Sequence, residues 1–448
     1  MLTIAEASEQ LRSGKLSSFD LTRACLERIG KLDPELNAFI TVTADLAVRQ
    51  AQQADREIAA GQWRGPLHGI PVALKDLVDV AGVRTTGASN QLRHHIADSD
   101  AAIVARLKAA GGVIVGKTNL HEFAFGGSGM VSAFGPTRNP WNVTRITGGS
   151  SSGSAAAVAS GMCVAAIGTD TAGSVRDPAA LCGIVGHRPS AGVWSTDGII
   201  PLRKSFDTVG PMTRTVEDAW LMFGALPGNN QPAPLVTNLE HARIGIARQG
   251  FFDAVDDEIE ECVEEAIKLI RPMVASEREV KVEVGVKWTD FDAEILEYHR
   301  PMLAHSPELY RPDTLDRLRA CAAIPTAEFE AALTGLSAAR KQNERIFDLV
   351  DVVLTPTCLV EAPRISDLQA MTAHELRTYE VQKLLRNTAP FSLLFWPSVS
   401  VPCGFTSQGL PVGLHISARP GADEFALRVA RAYEEATEWH KRVPAIGA

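Results

Sequence analysis

Ten of the chain's 36 glycines fall between Gly126 and Gly173. An even spread would place about four there, and glycine is the residue that tolerates left-handed backbone and close approach of other chain segments. Two polar loops dominate the stretch: Gly148-Gly149-Ser150-Ser151-Ser152-Gly153-Ser154 and Gly168-Thr169-Asp170-Thr171-Ala172-Gly173-Ser174. Between them the sequence predicts an alanine-rich helix over 154–160, stopped by Gly161, and a strand over 163–167. Both loops are therefore fixed to apolar elements. A run of small residues ending in Gly-Ser lets several N–H groups converge on one point. A serine there can attack a carbonyl whose oxygen settles among those donors.

The rest of the chain sets these loops in an alternating pattern. Thr3 is placed to cap a short helix, and Ser17 or Ser18 a second, with Leu21, Cys25 and Ile29 on one face and Gly30 as its stop. A third helix is predicted over 45–60, then a strand over 70–74 with Lys75 at its end. A helix over 101–110 leads through Gly111-Gly112 into a strand over 113–115. This alternation predicts an α/β architecture. The segment 229–388 is more charged, with helices predicted over 256–270 and 326–350 and a strand at 352–354. Strands around 398–403 and 412–416 precede an exposed C-terminal helix. No linker or repeat interrupts the chain, so one domain over 1–448 is predicted, although 448 residues alone would suggest roughly three.

Composition excludes some functions. The chain has 53 acidic against 44 basic residues, a formal charge of −9, which argues against a dedicated nucleic-acid binder. Seven scattered cysteines contain no C-x-x-C pair, so neither a disulfide framework nor a cysteine metal site is predicted. The N-terminus lacks a basic stretch followed by an apolar run, and no bulky apolar segment reaches the ~20 residues needed to cross a bilayer. The expectation is a reduced, cytoplasmic enzyme without metal or other cofactor, away from membranes.

Two short patterns tempt and fail. Gly111-Gly112-Val113-Ile114-Val115-Gly116-Lys117-Thr118 satisfies G-x-x-x-x-G-K-[ST], but a helix precedes it and Val-Ile-Val fills the loop positions. Gly149-Ser150-Ser151-Ser152-Gly153 satisfies G-x-S-x-G, the nucleophile elbow of α/β-hydrolases, which needs a strand immediately before it. The preceding 142–147 is polar and follows Pro140, so an esterase using Ser151 is a remote alternative.

Longer segments point elsewhere. Residues 148–178 resemble the signature of the amidase signature family, and Gly69-Ile70-Pro71-Val72-Ala73-Leu74-Lys75-Asp76 resembles its lysine segment. Similar matches occur at Gly116-Lys117-Thr118-Asn119, Gly135-Pro136-Thr137-Arg138-Asn139-Pro140, Asp207-Thr208-Val209-Gly210-Pro211-Met212 and Ser400-Val401-Pro402-Cys403-Gly404. The resemblance is dense over a core of about 65–218 and weak across 229–388, where the substrate is expected to be read. It implies one large amidase-signature domain, with a central mixed β-sheet covered by helices on both faces.

By that resemblance Ser174 matches the nucleophile, Ser150 the bridging serine held by a cis peptide, and Lys75 the base. The backbone N–H groups of Thr171, Ala172, Gly173 and Ser174 match the oxyanion donors. Thr169, Asp170 and Arg176 match supporting positions. An ordinary lysine is protonated at neutral pH, so Lys75 can act as a base only where burial favours its neutral amine. The implied activity is hydrolysis of the carboxamide bond of a small or medium substrate through an acyl-serine. The implied partners are a small-molecule amide and, at most, a second copy of the chain in a homodimer, with no direct contact to nucleic acid. The alternative within the family is the glutaminase component of a tRNA-dependent amidotransferase, which needs a partner chain.

Several positions bear on substrate. Gly126 and Gly127 are candidate contacts. Asp177 stands where the family usually has an apolar residue, and either pairs with Arg176 or His187 or faces the substrate. Phe395 and Trp396 replace smaller residues and either narrow a pocket or pack the core.

Overall fold

The short apolar runs become strands buried on both faces, and the amphipathic runs become the helices that cover them. A computed structural model describes residues 1–226, 228 and 232–446. Residues 229–231, which open the 229–388 segment, and the last two of the 1–448 span lie outside the described residues. The strands are β1 (Phe39–Val42), β2 (Pro71–Lys75), β3 (Val113–Thr118), β4 (Arg138–Asn139), β5 (Asn142–Ile146), β6 (Ala165–Asp170), β7 (Val185–Arg188), β8 (Thr208–Thr213), β9 (Arg243–Ile246), β10 (Ser276–Glu279), β11 (Val352–Pro356), β12 (Ser398–Phe405) and β13 (Pro411–Ala418). Eleven form one mixed sheet in the order β1-β3-β2-β6-β8-β7-β12-β13-β11-β9-β10, so elements from both ends of the chain share it.

Strand periodicity divides the core between the two faces. Val72, Leu74, Ile114, Ala165 and Ile167 point into one apolar cluster with Leu11, Leu21 and Leu107 from flanking helices. Their neighbours Ala73, Val113, Val115 and Ala166 point into another with Ile29, Leu36 and Val158. Small residues in the second set let the helix Ser152–Ala159 lie close to the sheet. At the other end of the sheet, Leu354, Val401, Leu414 and Ile416 pack against the helices Asp257–Ile270 and Asp423–Glu435.

Some boundaries differ from the sequence reading. The helix Ser18–Leu36 runs through Gly30, because its buried stripe continues to Leu32 and Leu36, and it stops at Asn37 in a left-handed conformation. The C-terminal helix is exposed on one side only; Ala426, Leu427, Val429, Ala430 and Tyr433 are buried against the sheet. Residues 142–146 do form a strand, β5, but it pairs with β4 in a separate two-stranded ribbon. The G-x-x-x-x-G-K-[ST] pattern is a turn at Gly111 followed by β3. Its Lys117 is buried against Asp76 at 2.9 Å and the Thr85 hydroxyl at 2.8 Å.

The site follows from the parallel pairing of β2 with β6. Leu74 lies opposite Ile167, so the C-terminal ends of both strands, carrying Lys75 and Thr169-Asp170, open on the same edge. Ligands bind beyond the carboxyl ends of strands in such sheets. Both glycine-rich loops reach this edge.

One glycine shows how tightly the first loop is packed. A Cβ on Gly153 would lie 2.2 Å from the Ala38 carbonyl oxygen and 2.6 Å from the Asn119 nitrogen. Both are backbone atoms, so neither can swing away. Gly153→Ala is expected to destabilise the fold by about 1–3 kcal/mol, the usual range for overpacking. Denaturant unfolding checks this; an unchanged midpoint would contradict the packing argument.

Candidate active site

Lys75 is fully buried at the end of β2. Its Nζ lies 2.7 Å from Ser150 Oγ, 2.8 Å from Thr169 Oγ1 and 3.4 Å from the Thr169 carbonyl. Burial pushes its pKa down from 10.5 to about 7, while Asp170 and Asp207 pull it up. A neutral amine there can donate to Thr169 and accept the Ser150 proton. The Gly149–Ser150 peptide is cis.

Ser174 follows Gly173, whose φ of +146° few side chains could adopt. A Cβ on Gly173 would also meet the Thr388 hydroxyl at 2.1 Å. That hydroxyl donates to the Ala172 carbonyl at 2.7 Å, and the Thr171 hydroxyl donates to Asp207 at 2.5 Å. Among the described residues, the N–H groups of Thr171, Ala172, Gly173 and Ser174 have no acceptor within the chain. These free donors can stabilise a developing oxyanion.

The loop that carries Ser174 is braced from below. Arg176 donates from Nε and Nη2 to the two carboxylate oxygens of Asp170, both at 3.0 Å, and Arg188 reaches the same carboxylate at 3.2 Å. Burial alone would raise the Asp170 pKa, but the two guanidiniums hold it far below the usual carboxylate range. Asp170 also accepts from the Val175 N–H, fixing the turn that presents Ser174. Arg176 is held in turn by the Thr388 carbonyl and Ser392.

Ser151 is used differently from a nucleophile. Its hydroxyl donates to the Thr169 carbonyl and its N–H to the Ser174 carbonyl, both at 3.2 Å, so it ties the two loops together. The strand directly before it, β5, belongs to the two-stranded ribbon and not to the large sheet, so the context of a nucleophile elbow is missing.

The cavity beside Ser174 is lined by Ala124, Phe125, Gly126, Thr171, Ala172, Leu202 and a cationic group of side chains. Arg203, Arg317 and Arg377 reach it, with Trp288 and Glu380. Asp292 bridges Arg203 and Arg377. Arg317 donates to Glu380 at 2.8 Å and to the Phe125 carbonyl at 2.6 Å. Among the described residues its Nε and second terminal nitrogen have no hydrogen-bond partner, although only 4% of the residue is exposed. His121, also buried and without a hydrogen-bond partner, is driven down to about 3 by burial, so it is neutral.

Other expected substrate contacts lie elsewhere. Gly126 lines the cavity, but Gly127 packs on Leu385 behind it. Asp177 is fully buried, accepting from the Gly149 N–H at 2.8 Å and from the Cys358 thiol at 3.2 Å. Burial pushes its carboxyl well above the usual range, and its partners are the Gly149 N–H and the Cys358 thiol, not Arg176, His187 or the cavity beside Ser174. Phe395 lies under Arg340 and beside Phe206, and Trp396 packs on Phe347 and Phe391. Both fill the core. Sequence reasoning missed the three arginines. A usable signal existed for Arg317: it falls in the buried stripe Thr314, Arg317, Leu318, Cys321 of its helix, where a solvated arginine has no place.

The sheet and the braced serine loop define the class. The amidase family model matches residues 20–296 and 302–427, and the chain belongs to that family, the amidase-signature enzymes. Among its relatives is the A component of the glutamyl-tRNA(Gln) amidotransferase of Geobacter metallireducens, 37% identical over 99% of each chain. A crystal structure of an amidase superposes with a TM-score of 0.89 at 30% identity, covering 98% of this chain and 100% of that one. The corresponding A component of the glutamyl-tRNA(Gln) amidotransferase of Thermotoga maritima gives a TM-score of 0.82 at 32% identity, covering 100% of this chain and 98% of that one. These names correct one expectation. The expectation of an enzyme that meets only a small amide, at most as a homodimer and with no nucleic acid involved, is overturned by the curated relatives, which are named as the A subunit of a glutamyl-tRNA(Gln) amidotransferase. No helix among the described residues is long and apolar enough to cross a membrane.

The Lys75 geometry sets a pH dependence. Only the neutral amine accepts a proton, so kcat/KM should rise through an acid limb near pH 7 and level off above it. Rate measurements across pH 5–9 check this. An acid limb near pH 4–5, in the carboxylate range, would contradict it.

Proposed function

We propose that this protein hydrolyses the carboxamide bond of a carboxylate-bearing primary amide, releasing ammonia as the glutaminase-type component of a larger amidotransferase. Lys75 draws the Ser174 proton through the Ser150 hydroxyl, Ser174 attacks the amide carbon, and the Thr171–Ser174 N–H groups receive the oxyanion. The relay returns the proton to the leaving nitrogen, which an amide requires because the free amide anion is a poor leaving group. Water then hydrolyses the acyl-serine by the same route.

The observation that carries the substrate class is Arg317. Its unpartnered donors sit in the cavity that Ser174 lines, and buried polar groups are normally satisfied. Three guanidiniums stand there against the two carboxylates of Asp292 and Glu380, leaving one positive charge (3 − 2 = +1). A single carboxylate on the substrate balances it. Glutamine fits this description and agrees with the names of the relatives. Those names also support a partner chain, which would supply the basic surface for tRNA that a chain of charge −9 lacks. The seven unpaired cysteines suit a reduced cytoplasm.

Ammonia release from glutamine, asparagine, propionamide and benzamide tests the reading. Glutamine is expected to lead, and Arg317→Met to raise its KM about 10–100-fold, the worth of a hydrogen bond to a charged group. Ser174→Ala should abolish both ammonia release and labelling by a fluorophosphonate. Neutral amides turning over as well as glutamine would sink the carboxylate assignment.

A further inference from the structure

Asp207 lies outside the Lys75–Ser150–Ser174 relay, yet it joins two parts of the site. It follows the turn 202–207 and precedes β8. Its Oδ1 accepts from the Thr171 hydroxyl at 2.5 Å, and its Oδ2 from the Leu202 and Arg203 N–H groups at 2.9 and 3.0 Å. Thr171 opens the run of free oxyanion donors. Arg203 reaches the substrate cavity through a side chain stacked on Trp288 at 4.0 Å. A simple turn cap would account for the two N–H bonds, but not for a third bond reaching across to another loop. The carboxylate also faces a second cavity of about 380 Å³, bounded by Thr169, Thr171, Leu202 and Thr208. The bond to Thr171 is therefore made beside open space, where packing alone would not hold the loop.

We propose that Asp207 is a positioning residue: it fixes the oxyanion segment Thr171–Ser174 in register with the Arg203 turn, so that the acyl group is oriented while its carbonyl is polarised. The proposal rests on the catalytic reading of Ser174 and not on glutamine as substrate. A loop free to drift by 1 Å can cost about a hundredfold in rate.

Asp207 also acts on the base by charge. Lys75 is faced by Asp170 and Thr169 on β6, by Ser150 and by Asp207, and both aspartates raise its pKa against burial. Asp207 itself is faced by Thr171, the Arg203 turn, Arg188 on β7 and Glu294, with burial pushing it up to about 7. Replacing its carboxylate by an amide removes attraction for the ammonium, so the acid limb should move to lower pH.

The test uses p-nitrophenyl acetate and mono-p-nitrophenyl glutarate, activated esters that acylate Ser174 without requiring glutamine. Thr171→Val, which leaves the turn intact, is expected to slow acylation by both esters about tenfold or more at unchanged melting temperature. Asp207→Asn should do the same, lower the preference for glutarate over acetate at least threefold, and shift the acid limb downward. Wild-type acylation rates in Thr171→Val, or an unmoved acid limb and ester preference in Asp207→Asn, would overturn the proposal. Loss of glutamine turnover with normal ester acylation in the wild type would instead overturn the substrate reading alone.

Discussion

Taking a lysine side chain out of water disfavours its protonated form, and a carboxylate in contact opposes that shift. Lys75 has no carboxylate in contact. Its nearest polar neighbours are two hydroxyls and a carbonyl, from Ser150 and Thr169, and the charges that oppose burial, Asp170 and Asp207, act from a distance. Asp170 is already committed to Arg176 and Arg188. The result is an amine poised near pH 7 at the foot of the serine loops. The proposed relay from Ser174 through Ser150 depends on that balance.

The scaffold around the lysine keeps the balance from collapsing. Removing Asp170 would leave two buried guanidiniums without their carboxylate, a far larger cost than the pairs themselves return. Asp177 shows the opposite case: with no cation in contact burial pushes its carboxyl well above the usual range, and it accepts from the Gly149 N–H. Two buried aspartates seven residues apart on the same segment thus have their pKa values pushed in opposite directions, down where two arginines reach the carboxylate and up where none does.

Much of the fold was legible because the sheet is buried on both faces. Short apolar runs such as Val113-Ile114-Val115 and Val352-Val353-Leu354 have few other uses, and the glycine excess marked the two loops that meet at Lys75. The helix end at Gly30 was misplaced because glycine inside a helix is tolerated when the apolar stripe continues beyond it. Substrate contacts were the least legible. Arg203, Arg317 and Arg377 come from segments far apart in sequence, and only the tertiary fold brings them to one cavity. Asp177, Phe395 and Trp396 stood out as departures from the family pattern, but unusual residues proved to be packing and hydrogen-bonding solutions. The partner expectation failed for another reason: an acidic surface describes this chain alone and says nothing of what sits beside it.

The central claim is that burial makes Lys75 a neutral base near neutral pH. Carbon-13 NMR of lysine Cε across pH 5–11, with the signal assigned through its loss in Lys75→Met, measures this directly. The account predicts titration near pH 7. A Lys75 signal that titrates near the ordinary 10.5 would contradict it.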